Sequence, residues 1–246
     1  MSKLEWDKTG EKKYETGIDK GVLFPIRYNR YSDGQAWSGL INVNESPSGA
    51  EPTPLYADNK KYVNLISNEE LELSVEAYTY PDDFNNCLGK TEIANGVFIG
   101  QQRRIHFGFV YRTLLGNDVD GTDLGYRINI IFDCIASPSE KANNTINESP
   151  EALTHSWDFS TTPQIIEGYK PSAKLTLTST DFKKSGLYNV FKYIEGLLYG
   201  TNTTNSKLPK IPEIIEAFER QMYLRDNENN ALLDSLGNKI QTRVFE

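Results

Sequence analysis

Between Leu71 and Thr178 the chain returns five times to strict two-residue alternation, and that pattern limits the fold more than any other feature. In Leu71–Tyr80, Leu71, Leu73, Val75 and Ala77 fall on one face and Glu72, Ser74, Glu76 and Tyr78 on the other. Ile105, Phe107, Phe109 and Tyr111 line one side of the next segment, and Tyr126, Ile128, Ile130, Phe132 and Cys134 one side of the third. Leu153, His155, Trp157 and Phe159, then Ala173, Leu175 and Leu177, complete the series. Successive strand side chains point to opposite faces, so each segment reads as a half-buried strand. Asp33-Gly34 and Asp120-Gly121 read as hairpin turns, and Pro163, Gly168 and Pro171 bracket another connection. Fourteen Tyr and eleven Phe suit pleated surfaces better than a helical bundle. The fold class expected is a mostly-β sandwich or barrel.

One segment switches to the helical period. Leu187, Val190, Phe191, Ile194, Leu197 and Leu198 follow three-and-four spacing, Gly200 can end the helix, and Thr180-Asp181 offers capping side chains. After a linker-like TNTTNSKLPK, Pro212 opens a second short amphipathic segment, 213–224, with Ile214, Ile215, Phe218 and Met222 on its apolar side. The last stretch, RDNENNALLDSLGNKIQTRVFE, reads as a small hairpin or extended arm. The organisation expected is a β domain over 1–200 with one flanking helix, and a C-terminal extension over 201–246.

The stretch from Trp37 to Ser67 departs from the pattern. Pro47, Pro52 and Pro54 cannot donate to a ladder, yet Leu40, Ile41, Val43, Leu55, Tyr56, Tyr62, Val63, Leu65 and Ile66 crowd its ends. It reads as a long loop over about 43–67 that docks onto something, since loops this long in compact domains are functional or disordered. Asn44-Glu45-Ser46-Pro47 is echoed at Asn147-Glu148-Ser149-Pro150, either as turn chemistry or as an internal duplication.

Composition excludes several classes. Of 246 residues 38% are hydrophobic and 24% charged, as in globular proteins. A net charge of -8, from 34 acidic and 26 basic residues, argues against a protein that grips phosphates, though not against one that lets DNA pass. The charged N-terminal stretch lacks an apolar core, so no signal peptide is expected, and no apolar run approaches the ~20 residues of a membrane helix. Two cysteines, Cys87 and Cys134, are too few for a disulfide framework and suit synthesis in a reducing cytoplasm.

Catalytic and metal signatures are missing from the sequence. His106 and His155 stand apart inside alternating segments, without the local ligand pairs of zinc sites. The acidic Asn117–Asp123 loop lacks the glycine and glutamate of a helical calcium loop and reads as a hairpin. Glu72 and Glu76, ~13 Å apart along one strand, do not make a glycosidase pair. Arg103-Arg104 reads as a surface pair. No enzyme and no cofactor is expected.

Five segments also carry a family likeness: WDKTGEKKYETGIDKGVLFPI, AWSGLINVNESPSGAEPTPLYADNKKY, EAYTYPDDF, IGQQRRIHFGFVYRTLLGND and SPEALTHSWDFSTTP. In collinear order over about residues 5–200, they resemble the major tail proteins of long-tailed phages and prophages of Gram-positive bacteria. The resemblance implies a virion protein, made in the bacterial host cytoplasm, whose β-sandwich or barrel forms hexameric rings. The rings would stack into a tail tube through which DNA passes, alongside tape-measure, tail-tip and tail-terminator proteins. It places Asn44, Glu45, Ser46, Pro47, Pro52, Pro54, Leu55, Tyr56 and Tyr62 in a loop that reaches the neighbouring ring. A lumen lined by Glu72, Ser74 and Glu76 would repel phosphates and let DNA slide. The competing reading from another class is a carbohydrate-binding β-sandwich of a phage tail or cell surface, with a hydrolase third.

Overall fold

The computed structural model describes residues 3–222 apart from Ala50, Asn68, Ala142, Asn144 and 146–151. The second copy of the Asn-Glu-Ser-Pro echo and the expected C-terminal arm or hairpin lie outside the described residues.

Three layers build the protein. The middle layer is β1 (Tyr14–Arg27), β10 (Phe107–Asn117) and β11 (Gly121–Ala136), paired antiparallel in that order. Its strands are buried on both faces, which is why Val22-Leu23-Phe24-Pro25 and Phe109-Val110-Tyr111 read as continuous apolar runs at their centres. On one side β11 passes through β12 (His155–Thr161) to β7 (Glu69–Ala77) and β4 (Leu40–Gly49). This half folds over an aromatic core in which Trp37, Phe84, Phe107, Trp157 and Phe159 meet edge to face, with ring centroids 5.0 Å apart for Phe107 and Phe159 and 5.2 Å for Phe84 and Trp157.

The sheet does not close into a barrel by hydrogen bonding. Its outer strands are β4 on one side and β2 (Arg30–Tyr31) and β3 (Gln35–Trp37) on the other, both of the latter paired to β1. The chain itself links them, passing from β3 to β4 through Ser38-Gly39. The result is sandwich-like, one of the two architectures expected from the alternation.

The third layer covers the far face of β1, β10, β11 and β13 (Lys174–Thr178) with α3 (Tyr188–Tyr199) and α4 (Ile211–Met222). Both helices match the sequence periodicity, and Gly200 follows α3 at φ +77°. Leu208, between them, presses onto β10 where Gly108 leaves room: a Cβ there would stand 2.2 Å from its Cδ2. Two further helices, α1 (Phe84–Cys87) and α2 (Ser179–Lys184), were not expected. Thr180 and Asp181 lie inside α2 and cap nothing, because that turn has already coiled into helix.

Two other expectations are corrected. Phe132 and Cys134 face opposite layers, because Asp133 adopts φ +49° and makes a bulge that reverses the alternation between the Phe109–Ile131 and Phe107–Cys134 pairs. The first hairpin turns at Tyr28-Asn29 (φ +51° and +59°) rather than at Asp33-Gly34, which lies between β2 and β3. Asp120-Gly121 does join β10 to β11.

Candidate functional surfaces

The stretch expected as a 43–67 loop is built of paired strands. β4 continues through Pro47, opposite Leu71, to Gly49 opposite Glu69. Proline is tolerated there because β4 is an edge strand. Beyond that ribbon, β5 (Thr53–Ala57) and β6 (Lys60–Leu65) form a separate hairpin around Asp58-Asn59, both left-handed as a two-residue turn demands. Every residue of β5 and β6 is exposed. Leu55, Tyr56, Tyr62, Val63 and Leu65 thus stand exposed on an arm whose strands, among the described residues, pair only with each other.

The residues of the expected docking set separate. Pro54, Leu55, Tyr56 and Tyr62 are on the arm, Pro52 is at its root, and Asn44, Ser46 and Pro47 are on β4. Glu45 turns inward on the core face of β4, where its carboxylate accepts a hydrogen bond from the Tyr111 hydroxyl and pairs with Lys174. Burial, then this bond to Glu45, raises the Tyr111 pKa. Glu45 therefore ties β4 to β10 and β13 and is not part of the arm's surface.

Glu72, Ser74 and Glu76 share the face of β7 opposite Leu73, Val75 and Ala77, as the alternation predicts. Cross-strand partners share a face, so the register extends it. Asn42, Glu76 and Ser156 form one row, Asn44, Ser74 and Asp158 the next, and Ser46, Glu72 and Ser160 the third, followed by Ser48 beside Glu70. This outer face of β4, β7 and β12 carries four carboxylates, small polar side chains, and no Lys or Arg.

A second exposed hairpin escaped the sequence reading. β8 (Thr91–Ala94) and β9 (Val97–Ile99) join at Asn95-Gly96, and Glu92 Oε1 accepts the Gly96 N–H at 2.9 Å. Ile93, Val97, Phe98 and Ile99 are exposed on it. The Asn95-Gly96 dipeptide between apolar residues was its signal.

At the end of the middle layer where β10 begins, a cleft of 1130 Å³ gathers Arg27, Arg30, Arg103, Arg104, Lys207 and Lys210. Asp133 and Glu213 are the carboxylates that line it. Arg27 pairs with Asp83 at 2.9 Å, Lys207 with Glu213 at 3.2 Å, and His106 Nδ1 contacts Asp133 Oδ1 at 2.7 Å. Arg104 donates to the Ala136 carbonyl at 2.9 Å. The residues lining the cleft include no Ser, Thr or Cys. Arg103 and Arg104 are thus two of the six cations of a concavity whose other four arrive from β1–β2 and from the α3–α4 connection.

Other features are structural. Trp37 and Trp157 are buried, so neither offers an open stacking platform for a sugar. Cys87 and Cys134 are buried free thiols, the first pushed up to about 12 by burial and then by the Asp83 charge. Among the described residues no group of three His, Cys, Asp or Glu could hold a metal ion, and no helix is long and apolar enough to cross a membrane.

No family model matches the chain, and no curated protein matches it. Among solved structures, a chain from the cryo-EM structure of the anti-feeding prophage (AFP) baseplate, 6-fold symmetrised, is similar over 71% of this chain and 97% of its own. The identity is 8% and the TM-score 0.36. At that score neither fold nor role follows from the likeness.

Proposed function

We propose that this chain is a structural subunit of a phage tail, and specifically a tail tube protein whose copies close into hexameric rings that stack around a DNA channel. The β5–β6 arm carries the reading. An isolated two-stranded hairpin gains little stability in water, and this one holds five large apolar or aromatic side chains away from its own body. Such an arm is suited to a partner surface that covers it, and a neighbouring copy is the partner the sequence resemblance implies.

The polar face of β4, β7 and β12 supports the same reading. A wall with Glu70, Glu72, Glu76 and Asp158 and no cation offers phosphates nothing to neutralise, so a duplex passing it releases no counterions and does not adhere. We assign this face, including Glu72, Ser74 and Glu76, to the lumen. Ring closure would also cover the exposed edge of β4. Tape-measure, tail-tip and tail-terminator proteins are the further partners this assignment requires.

The test removes the arm at its root. Replacing residues 51–67 by a short Gly-Ser turn keeps the Gly49–Glu69 pair and the β4–β7 ribbon. The expected product has an unchanged circular dichroism spectrum and ring-sized particles by light scattering, but no tubes in negative-stain images. Tubes assembled without the arm would refute the role given to it. A monomer of the intact chain that binds glycan arrays would replace the tube reading with the carbohydrate-binding one.

A further inference from the structure

The basic cleft has a counterpart on the same two strands. β10 and β11 begin and end, respectively, at the cleft, where His106 precedes β10 and Asp133 lies near the end of β11. At their other end, ~36 Å away along the 11-residue β10, the connecting hairpin projects Asp118, Asp120 and Asp123 with an exposed Val119 between the first two. No Lys or Arg lies within 117–125. The N-terminal stretch lies alongside, Gly10 N–H donating to Asp118 Oδ1 at 3.0 Å; its Lys8 is paired with Glu5, and the exposed Lys12 and Lys13 lie nearer the base of the hairpin, before Tyr14 pairs with Gly116. The tip of the β10–β11 hairpin is therefore acidic, and the cleft at the other end of the ribbon basic.

We infer that the Asp118–Asp123 hairpin of one copy enters the basic cleft of the next, a head-to-tail contact that rests on the tube reading above and names a partner surface for stacking. The cleft already engages carboxylates through Arg27, His106 and Lys207. Arg30, Arg103 and Lys210 have no ion pair among the described residues, and the hairpin brings three carboxylates to three such cations. Because the two surfaces differ and lie at opposite ends of one ribbon, the contact is heterologous and repeats without closing on itself along that axis. A hairpin of this chain fits better than nucleic acid: the net charge of -8 repels a polyanion at long range, whereas a local acidic tip needs only local complementarity.

The experiment reverses each side and then both. Arg30→Glu with Arg103→Glu alters two exposed side chains that have no ion pair among the described residues, and Asp118→Lys with Asp123→Lys alters the tip; circular dichroism checks that each variant folds. Each pair alone is expected to leave ring-sized particles in light scattering and to abolish tubes in negative stain. Mixed together they should regain tubes of alternating rings, because both junctions between unlike rings are then complementary, and the chain carrying all four substitutions should regain tubes by itself. Tubes from either reversal alone would overturn the contact while leaving the tube reading intact. A wild-type chain that stays monomeric would overturn both. Binding of a labelled DNA strand to wild type, lost in the Arg30→Glu/Arg103→Glu variant with tubes unaffected, would assign the cleft to phosphates and overturn the inference.

Discussion

Trp37 donates its indole N–H to the Thr79 carbonyl oxygen at 2.8 Å. The bond ties the chain just before the β4–β7 ribbon to the chain just after it, at the root of everything that leads to the arm. It also supplies a partner for a polar atom on a ring that is 2% exposed and packs 4.6 Å from Phe84.

Trp37→Phe should therefore cost about 1–3 kcal/mol, from the lost part-buried hydrogen bond and the lost ring contacts of a buried side chain. In urea the midpoint should fall with little change in slope. An unchanged midpoint would show that the root is held by the ladder alone.

Gly108 and Leu208 make a second close relationship. A Cβ at Gly108 meets Leu208 Cδ2 at 2.2 Å and Tyr31 Cε1 at 3.2 Å. Leu208 is buried, and shifting it disturbs the packing of the α3–α4 layer on the sheet. Gly108→Ala should destabilise by about 1–3 kcal/mol through overpacking. In the Leu208→Ala background the same substitution should cost less, and thermal melts of the four chains give the coupling. Additive losses would refute the clash.

His155 stacks on Trp157 with centroids 5.4 Å apart. Burial, then the charges of Lys141 and Lys90, lowers its pKa below the ordinary 6.5. The folded state thus binds this proton less readily than the unfolded one, so stability falls as pH drops below 6.5 and levels off below the folded value. Between about pH 7.5 and about pH 5.5 the wild-type melting temperature should fall further than that of His155→Gln. Equal falls would show that His155 is indifferent to folding.

The sequence was most legible where a strand has one wet face. Leu71, Leu73, Val75 and Ala77 reach the core as their alternation demands, and so do Trp157 and Phe159 on β12. β1 was not legible, since Val22-Leu23-Phe24-Pro25 is covered on both sides and shows no period. Asp133 hid a bulge, because a single left-handed residue leaves no trace in hydrophobic patterning. The prolines of β4 and β5 pointed to a loop, yet edge and hairpin strands tolerate a missing N–H.

By itself the sequence determined the mostly-β class, the two longer helices and the division of β7 into an apolar and an acidic face. Those follow from local periodicity, which neighbouring residues carry between them. Only the tertiary structure decided that the proline-rich stretch is a free-standing arm, that Glu45 turns inward to Tyr111, and that Arg30, Arg103 and Lys210 converge on one cleft. Each of these depends on contacts between segments far apart in the chain, and no local pattern records which distant residue fills the space opposite.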